Sequence, residues 1–273
     1  MAQMFDFSGK SVFVMGGTSG INYGIACGFA EWGAKVFVAS RKQDKVDAAV
    51  EGLQKLGAGA AGFACDVRDY DAVAEAFVKA TEFFGGSIDI LVSGAAGNFP
   101  ARLLDMSPNA MKSVVDIDLL GTFHVMRACH EHLTKPGASV INISAPQAYL
   151  PMSYQSHVCA AKAGVDMVTR TLSLEWGKEG IRVNSIVPGP IDNTEGMARL
   201  TPTPELKELV TKSVPIGRLG EVSDIANAAG LLSSEAGSYI SGVILPVDGA
   251  WSQAGATSVM GSMARFMDKM QSN

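Results

Sequence analysis

The chain has little of what marks several large classes of protein. It has only four cysteines in 273 residues, and no two of them are close in sequence. Scattered cysteines favour free thiols over a disulfide framework or a zinc site, and we expect no bound metal. The net charge is −5, so the chain lacks the basic face that a nucleic-acid-binding protein needs. No apolar run is long enough to span a bilayer, which argues against a membrane protein.

Neither end of the sequence carries a targeting pattern. Residues 1–6 lack the basic stretch followed by an apolar stretch that a secretory signal would have. The last three residues, Gln271-Ser272-Asn273, do not match a peroxisomal targeting tripeptide. These observations predict a soluble, cytoplasmic protein.

Short β-branched runs alternate with longer amphipathic stretches along the chain. The predicted strands are Ser11–Met15, Lys35–Ala39, Ala61–Ala64, Ile88–Val92, Ser139–Ile143, Arg182–Val187 and Val243–Val247. The predicted helices are Gly20–Trp32, Asp44–Leu56, Tyr70–Phe84, Ser107–Leu133, Ser156–Gly177 and Val222–Leu232. Because parallel strands need crossover connections, this alternation predicts a Rossmann-type α/β fold. We expect a doubly wound parallel sheet in three layers, with residues 1–273 as a single domain.

Two segments lie outside this alternation. Residues 194–212 form a predicted helical excursion after a strand end, where open α/β sheets bind ligands, and we interpret them as substrate-lid helices. The C-terminal tail, residues 252–273, carries methionines and a phenylalanine at helical spacing. We interpret the tail as packing against the body or a neighbouring subunit, with a pliable lid over an apolar ligand as the alternative.

A glycine-rich turn follows the first predicted strand directly. Such a turn between a strand and a helix lets the backbone approach a pyrophosphate, which then lies at the helix N-terminus. Plain chain reversal is the alternative use of such a turn, but its position in the first βα unit favours dinucleotide binding. The residues predicted to contact the cofactor here are Gly16, Gly17, Thr18, Ser19, Gly20 and Ile21.

The end of the second predicted strand indicates which dinucleotide binds. It reads Ser40-Arg41-Lys42 and carries no acid, whereas an Asp or Glu there would bind the ribose 2′-hydroxyl of NAD. Cations at this point favour the 2′-phosphate of NADP(H), although solvated helix-start cations are the alternative. Asp66, at the end of the third strand, is placed either to contact an adenine edge or to cap the following helix.

Motifs along most of the chain match one protein family. The chain resembles the short-chain dehydrogenase/reductase family through residues 16–24, Asp66, residues 93–97, Lys162 and residues 188–191. The resemblance implies a Rossmann-type sheet, a nicotinamide cofactor and a homotetramer. It also implies cofactor contacts from Gly94, Lys162, Pro188, Gly189, Ile191 and Thr194. Thr194 alternatively caps the helix that it opens.

The chain departs from the family at three of its four usual active-site positions. Asparagine, serine, tyrosine and lysine are usual, but here Asp118, Ala145 and Val158 replace the first three, and only Lys162 remains. The tyrosine protonates a developing alkoxide, which is basic enough to need a true acid. Its absence argues against ordinary interconversion of ketones and alcohols.

One branch of the family shares these departures. The chain resembles the peroxisomal type of 2,4-dienoyl-CoA reductase at residues 94–99, 116–118, Lys162 with Asp166, residues 188–191 and residues 194–196. This resemblance implies NADPH-dependent reduction of 2,4-dienoyl-CoA to 3-enoyl-CoA. The missing peroxisomal tripeptide departs from that branch, so the expected location stays cytoplasmic.

The missing phenol is tolerable in that reaction. Hydride addition to a conjugated dienoyl thioester leaves a charge spread onto the thioester oxygen, which hydrogen-bond donors can stabilise while a held water protonates carbon. Lys162 is predicted to hold the nicotinamide ribose and to add positive charge, with Asp118 approaching the same pocket. Asp166, one helical turn beyond Lys162, is either functional or part of a structural ion pair. Asn98 could donate its amide to the thioester oxygen or hold its own turn.

The resemblance also implies a set of residues that bind the acyl-CoA. They are Arg68, Phe99, Ser107, Asn109 and Arg199. Arginines suit nucleotide phosphates, and Phe99 can line an acyl channel. Surface charge is the alternative for the two arginines, and helix capping before Pro108 is the alternative for Ser107.

Two other functions fit the same residues. Tyr149 and Tyr154 precede the Lys162 helix, and either could swing in as the acid of a carbonyl reductase or alcohol dehydrogenase. A chain that binds NADP(H) without turnover, and so regulates a partner, is the other alternative.

Overall fold

A seven-stranded parallel β-sheet forms the centre of the molecule. The computed structural model describes residues 4–201 and 203–254, apart from the side chains of residues 199 and 200. The strands are β1 Ser11–Met15, β2 Lys35–Ser40, β3 Ala60–Ala64, β4 Ile90–Ser93, β5 Ser139–Ile143, β6 Arg182–Pro188 and β7 Ile244–Val247. Their order in the sheet is β3-β2-β1-β4-β5-β6-β7. The predicted Rossmann-type α/β fold is therefore confirmed, and each predicted strand lies within about two residues of an observed one.

Helices cover both faces of this sheet. They are α1 Gly20–Glu31, α2 Gln43–Lys55, α3 Tyr70–Phe84, α4 Pro108–Val114, α5 Gly121–Cys129, α6 Ser156–Trp176, α7 Glu195–Leu200, α8 Pro204–Ser213 and α9 Val222–Ser233. Because successive strand residues point to opposite faces, Val12 and Val14 pack towards α1 and α9, whereas Phe13 and Met15 pack towards α3 and α5. Two apolar cores result, one on each side of the sheet, as a three-layer fold requires.

The helical region between β4 and β5 differs from its prediction as a single helix over residues 107–133. Helix α4 is followed by a π-helical segment, Val115–Leu120, and only then by α5. A π-helical turn is wider than an α-helical one, and such turns occur often at functional sites. Asp118 lies within this segment and is 1% exposed. Because of the wider turn, the side chain of Asp118 points in a different direction from the one that a continuous α-helix would give it. Hydrophobic periodicity alone could not indicate this difference.

The predicted excursion over residues 194–212 is two helices rather than one. Thr194 caps α7 by accepting a hydrogen bond from the Met197 amide at 3.2 Å, and Thr203 caps α8 through the Leu206 amide at 3.4 Å. Pro204 occupies the first turn of α8, where its missing N–H costs nothing. Most of the predicted tail, residues 255–273, lies outside the described residues. Among the helices that are described, none has both the length and the apolar character needed to cross a bilayer.

Helix α1, which carries the glycine-rich turn at its start, packs closely against α9. A Cβ atom added at Gly24 would lie only 2.5 Å from the Cβ of Val222, the first residue of α9. Real Cβ atoms do not approach so closely, so the two helices can pack at this separation only if residue 24 has no side chain. The position of the cofactor-binding helix therefore depends on an element near the other end of the chain.

Gly24→Ala is expected to lower the free energy of unfolding by about 1–3 kcal/mol, because a methyl group must be forced between α1 and α9. Urea denaturation without cofactor measures this change. Gly177→Ala is the matched control, since a Cβ at Gly177 has no atom within 4 Å. Equal stability of the two variants would contradict the close-packing explanation.

Candidate active site

A cleft lies at the carboxyl ends of β1, β2 and β4. Strands β2 and β3 follow on one side of β1, and β4 to β7 follow on its other side, so the order of the strands reverses here. Open α/β sheets bind their ligands at this kind of topological switch point. The cleft has a volume of about 250 Å³. Seven predicted cofactor residues line it: Gly16, Thr18, Ser19, Ser40, Arg41, Lys42 and Gly94. Gly17, Gly20 and Ile21 belong to the same turn but are not among the lining residues.

The glycine-rich turn has the backbone geometry that a pyrophosphate needs. Gly16 has φ +80°, and a Cβ there would lie 2.8 Å from the Ala95 amide nitrogen. The side chain of Asn22 donates a hydrogen bond of 2.7 Å to the Gly94 carbonyl, which ties the turn after β1 to the turn after β4. The backbone is thus held open beside the start of α1, and the residues fit a dinucleotide.

Cations surround the outer end of this cleft. Arg41 and Lys42 are exposed, and Lys45, in the first turn of α2, lines the cleft beside them. The sequence prediction missed Lys45, although its spacing of three from Lys42 on a helix could have indicated it. Glu195, at the start of α7, also lines the cleft and was not predicted.

Asp66 and Arg68 are paired with each other. The guanidinium of Arg68 donates from Nε at 3.0 Å and from Nη2 at 2.6 Å to the two carboxylate oxygens of Asp66. These hydrogen bonds hold the pKa of the Asp66 carboxyl below its usual range. The predicted capping role belongs instead to Asp69, whose side chain accepts from the Asp71 and Ala72 amides at the start of α3.

A buried ion pair lies deeper in the site, between Asp118 and Lys162. The Nζ atom of Lys162 is 3.5 Å from Asp118 Oδ2, and their side chains are 7% and 1% exposed. Nζ also donates a hydrogen bond of 3.0 Å to the Ile143 carbonyl at the end of β5. Asp118 Oδ1 accepts a hydrogen bond of 2.7 Å from the amide of Gly97, in the turn after β4. The structure thus brings together Asp118 and Lys162, which the sequence analysis assigns to one pocket.

One carboxylate oxygen of this ion pair, Asp118 Oδ2, can still accept a hydrogen bond. Asp118 Oδ2 is buried and has no hydrogen-bond partner among the described residues. Because a buried carboxylate oxygen usually accepts a hydrogen bond, this atom is a natural acceptor for a water molecule or a ligand group. The site therefore has a cation and an unsatisfied acceptor side by side.

Asp166 lies one helical turn beyond Lys162 and is 4% exposed. Its Oδ1 accepts a hydrogen bond of 3.2 Å from the Ser185 hydroxyl on β6. Burial raises the pKa of the Asp166 carboxyl, and the Ser185 hydroxyl and the charges of Arg170 and Lys162 oppose this only in part. No direct ion pair with Lys162 is found among the described contacts of Asp166.

Apolar groups occupy the place where the family has its phenol. Val158 is 3% exposed and packs in a small cluster with Val114, Ala161, Leu119 and Phe99. The cluster contains no hydroxyl group, so it offers no acid at the usual position.

The structure does not bring the remaining predicted residues into one site. Asn98 and Asn109 are exposed, and Ser107 caps α4 by accepting from the Ala110 amide at 3.2 Å. Arg199 belongs to α7, but its side chain is outside the described part of the structure. Tyr154 packs against Arg102, whose guanidinium lies 5.7 Å from the ring centre. Tyr149 is 43% exposed.

The predicted residues at the end of β6 lie further along the sheet. Gly189 and Ile191 line a second cleft of about 340 Å³ that also involves Val214 and Asp248. Pro188 ends β6, three strands away from β1, and lines neither cleft. Over the described ranges, no group of three or more histidine, cysteine, aspartate or glutamate side chains is arranged to hold a metal ion.

The fold and the first cleft define an oxidoreductase that uses a nicotinamide cofactor. Residues 16–252 match the family model described as enoyl-(acyl carrier protein) reductase. The chain belongs to the short-chain dehydrogenase/reductase family, as its sequence motifs predict.

Two relatives and one solved structure show which proteins of this family the chain is similar to. The peroxisomal 2,4-dienoyl-CoA reductase of Arabidopsis thaliana is 43% identical over 251 residues, which cover 88% of this chain and 84% of that protein. The corresponding Saccharomyces cerevisiae enzyme is 41% identical over 247 residues, covering 89% and 84%. Among solved structures, a 7α-hydroxysteroid dehydrogenase complexed with NADH has a TM-score of 0.84 at 29% identity, covering 91% and 96%. The resemblance to the 2,4-dienoyl-CoA reductase branch is thus confirmed.

The predicted cytoplasmic location is wrong. The Arabidopsis and yeast relatives, and that of Rattus norvegicus, are named as peroxisomal enzymes, which points to the peroxisome instead. The prediction relied on the absence of a terminal tripeptide, which is weaker information than identity over most of the chain.

The raised pKa of Asp166 predicts a pH dependence of stability. The folded protein keeps this proton to higher pH than the unfolded chain, so the stability that Asp166 contributes is fully present below its ordinary pKa of 3.8 and is lost as pH rises through the raised value. Asp166→Asn cannot titrate. Its melting temperature is therefore expected to rise relative to the wild type as pH increases above 3.8.

Asp192→Asn is the control with the opposite sign. The hydrogen bond from Lys207 lowers the pKa of Asp192, so its contribution is present above 3.8 and is lost as pH falls. Relative to the wild type, this variant should be less stable at neutral pH and should approach it in acid. A parallel pH dependence for the two variants would contradict this explanation.

Proposed function

We propose that this protein reduces 2,4-dienoyl-CoA thioesters to 3-enoyl-CoA with NADPH. The observation that carries the proposal is the buried Asp118–Lys162 pair beside an apolar cluster at the position of the usual tyrosine. A site of this kind can stabilise a delocalised anion but has no strong acid for an alkoxide. The Arabidopsis and yeast relatives, named as 2,4-dienoyl-CoA reductases that produce (3E)-enoyl-CoA, support the same reaction.

NADP(H) is the proposed form of the cofactor. Arg41, Lys42 and Lys45 provide three cations at the outer end of the first cleft, where the 2′-phosphate of the adenosine ribose would lie. Asp66 is paired with Arg68, and its charge is therefore largely balanced. Gly16 and Gly94 allow the backbone to approach the pyrophosphate, and Lys162 is proposed to hold the nicotinamide ribose.

A nicotinamide held by Lys162 and the cofactor cleft would supply the hydride for the far end of the conjugated acyl chain. Lys162 stabilises the negative charge that then develops on the thioester oxygen. The unsatisfied Oδ2 atom of Asp118 accepts a hydrogen bond from a water molecule and holds it for protonation of carbon. Asp166 supports Lys162 from the next turn of α6, and Asn98 is proposed to approach the thioester when the turn after β4 closes over the substrate.

The acyl-CoA is proposed to lie between the turn after β4 and the helices that follow β6. Phe99 belongs to the apolar cluster with Val158, and its ring can contact the acyl chain. Arg68 and Arg199 are proposed to bind the phosphates of CoA, and Ser107 and Asn109 at the start of α4 are proposed to contact the acyl-CoA as well. Helices α7 and α8 then act as the lid over the bound substrate.

A homotetramer is the proposed assembly. Apolar side chains on the outer faces of α5 and α6 are exposed in the single chain, including Phe123 at 50%, Met167 at 57% and Leu174 at 80%. Exposed apolar side chains on adjacent helices are typical of surfaces that associate.

Substrate specificity is the direct test of the proposed reaction. NADPH oxidation is followed with 2,4-dienoyl, 2-enoyl and 3-ketoacyl thioesters of CoA and with simple ketones, and the product is identified by mass spectrometry and NMR. We expect turnover of the dienoyl thioesters to 3-enoyl products, and we expect Lys162→Ala to lower the turnover rate about a hundredfold or more.

The tyrosine variants test the alternative functions. Tyr149→Phe and Tyr154→Phe should keep most activity. Rapid turnover of ketones that collapses in one tyrosine variant would favour a carbonyl reductase, and tight NADPH binding without any turnover would favour a regulatory protein.

Arg41→Asp tests the cofactor preference. The new carboxylate should repel the 2′-phosphate and accept a hydrogen bond from the ribose hydroxyls, so the ratio of kcat/KM for NADPH over NADH should fall by at least about tenfold. Lys178→Asp, an exposed change of the same charge beyond the end of α6, is the control and should leave the ratio unchanged. An unaltered preference for NADPH in Arg41→Asp would refute the assignment.

A further inference from the structure

One histidine in helix α6 is buried without a hydrogen-bond partner. His157 has no exposed surface, and neither its Nδ1 nor its Nε2 atom meets a partner among the residues that the structure describes. A neutral imidazole has one donor and one acceptor, so both of its hydrogen-bonding groups are unsatisfied. Leaving such groups unsatisfied in a protein interior is unfavourable, and each instance in a native fold needs an explanation.

The surroundings of His157 connect it to the candidate active site. The residue directly precedes Val158, and Ala161, one turn later on the same helical face, belongs to the apolar cluster of Val158 and Phe99. The ring of His157 packs on the ring of Phe99, with centres 4.6 Å apart. His157 is therefore the polar group at the wall of the cluster that occupies the place of the missing phenol.

The segment that covers His157 is also bound to the catalytic pair. Phe99 follows β4 in an irregular stretch of chain, and two residues earlier the Gly97 amide donates to Asp118 Oδ1. A substrate that enters between this stretch and α6 must move Phe99 away from His157. The imidazole then faces the space that the acyl thioester enters, and Lys162 follows five residues later on α6, about one and a half turns along the helix.

We propose that His157 is a catalytic residue, whose ring N–H donates a hydrogen bond to the thioester oxygen of the bound acyl group. The inference deepens the proposed reduction of dienoyl thioesters and rests on it. The hydrogen bond strengthens as negative charge develops on that oxygen, so His157 shares with Lys162 the task that a phenol performs elsewhere in the family. No proton is transferred to the oxygen.

His157→Phe is the principal test, because phenylalanine keeps the flat ring and its contact with Phe99 but has no N–H. We expect kcat with a 2,4-dienoyl-CoA to fall about a hundredfold, with an unchanged dissociation constant for NADPH. The melting temperature should stay the same or rise, because two unsatisfied polar atoms leave the interior. His157→Gln, which retains a donor of similar reach, should keep at least about tenfold more activity than His157→Phe.

His132→Phe is the matched control. His132 also stacks on a phenylalanine, Phe77, with ring centres 5.9 Å apart, but it lies near the amino end of β4, where its carbonyl accepts a hydrogen bond from the Ile88 amide. The His132→Phe variant should leave kcat unchanged. A normal kcat in His157→Phe would overturn the role of His157, as would a loss of activity matched by losses of stability and NADPH affinity. Failure of the wild-type protein to reduce any dienoyl thioester would instead refute the proposed function.

Discussion

The arrangement of the site depends on the buried ion pair between Asp118 and Lys162. Two charges removed from water stabilise the fold only if each finds compensation, and removal of one partner from such a pair typically costs about 3–5 kcal/mol. Here the compensation comes from backbone groups at two strand ends: the Ile143 carbonyl binds Lys162, and the Gly97 amide binds Asp118. The pair thereby fixes α6 relative to β5 and fixes the turn after β4 relative to the π-helical segment. The same four groups, namely the two side chains, the Ile143 carbonyl and the Gly97 amide, therefore serve both the proposed chemistry and the packing of these elements.

Sequence patterns predicted the fold and the cofactor end of the site because both depend on local signals. Apolar β-branched runs indicated the strands, and the glycine-rich turn before α1 indicated the first cleft, which Gly16 and Arg41 line as expected. The proximity of Asp118 to Lys162 was also predictable, since family resemblance assigned both to one pocket. In each case the signal was a residue type or run at a fixed place along the chain.

The features that were not predictable depend on contacts between distant segments. The π-helical segment around Asp118 has no pattern of its own in the sequence, and for Ser107 and Thr194 the sequence left both ligand binding and helix capping open until their hydrogen bonds were known. His157 gave no signal at all, because a single histidine in an amphipathic helix is ordinary. Its importance comes from the complete burial that Phe99, far away in sequence, helps to impose.

The close approach of α1 to α9 has a consequence for the order in which the protein can mature. During synthesis the glycine-rich turn and α1 leave the ribosome well before Val222, the residue of α9 that α1 packs against. Until α9 is made, α1 therefore lacks the helix that it packs against. The helix at the start of the cofactor cleft can therefore reach its final packing only after α9 has been synthesised.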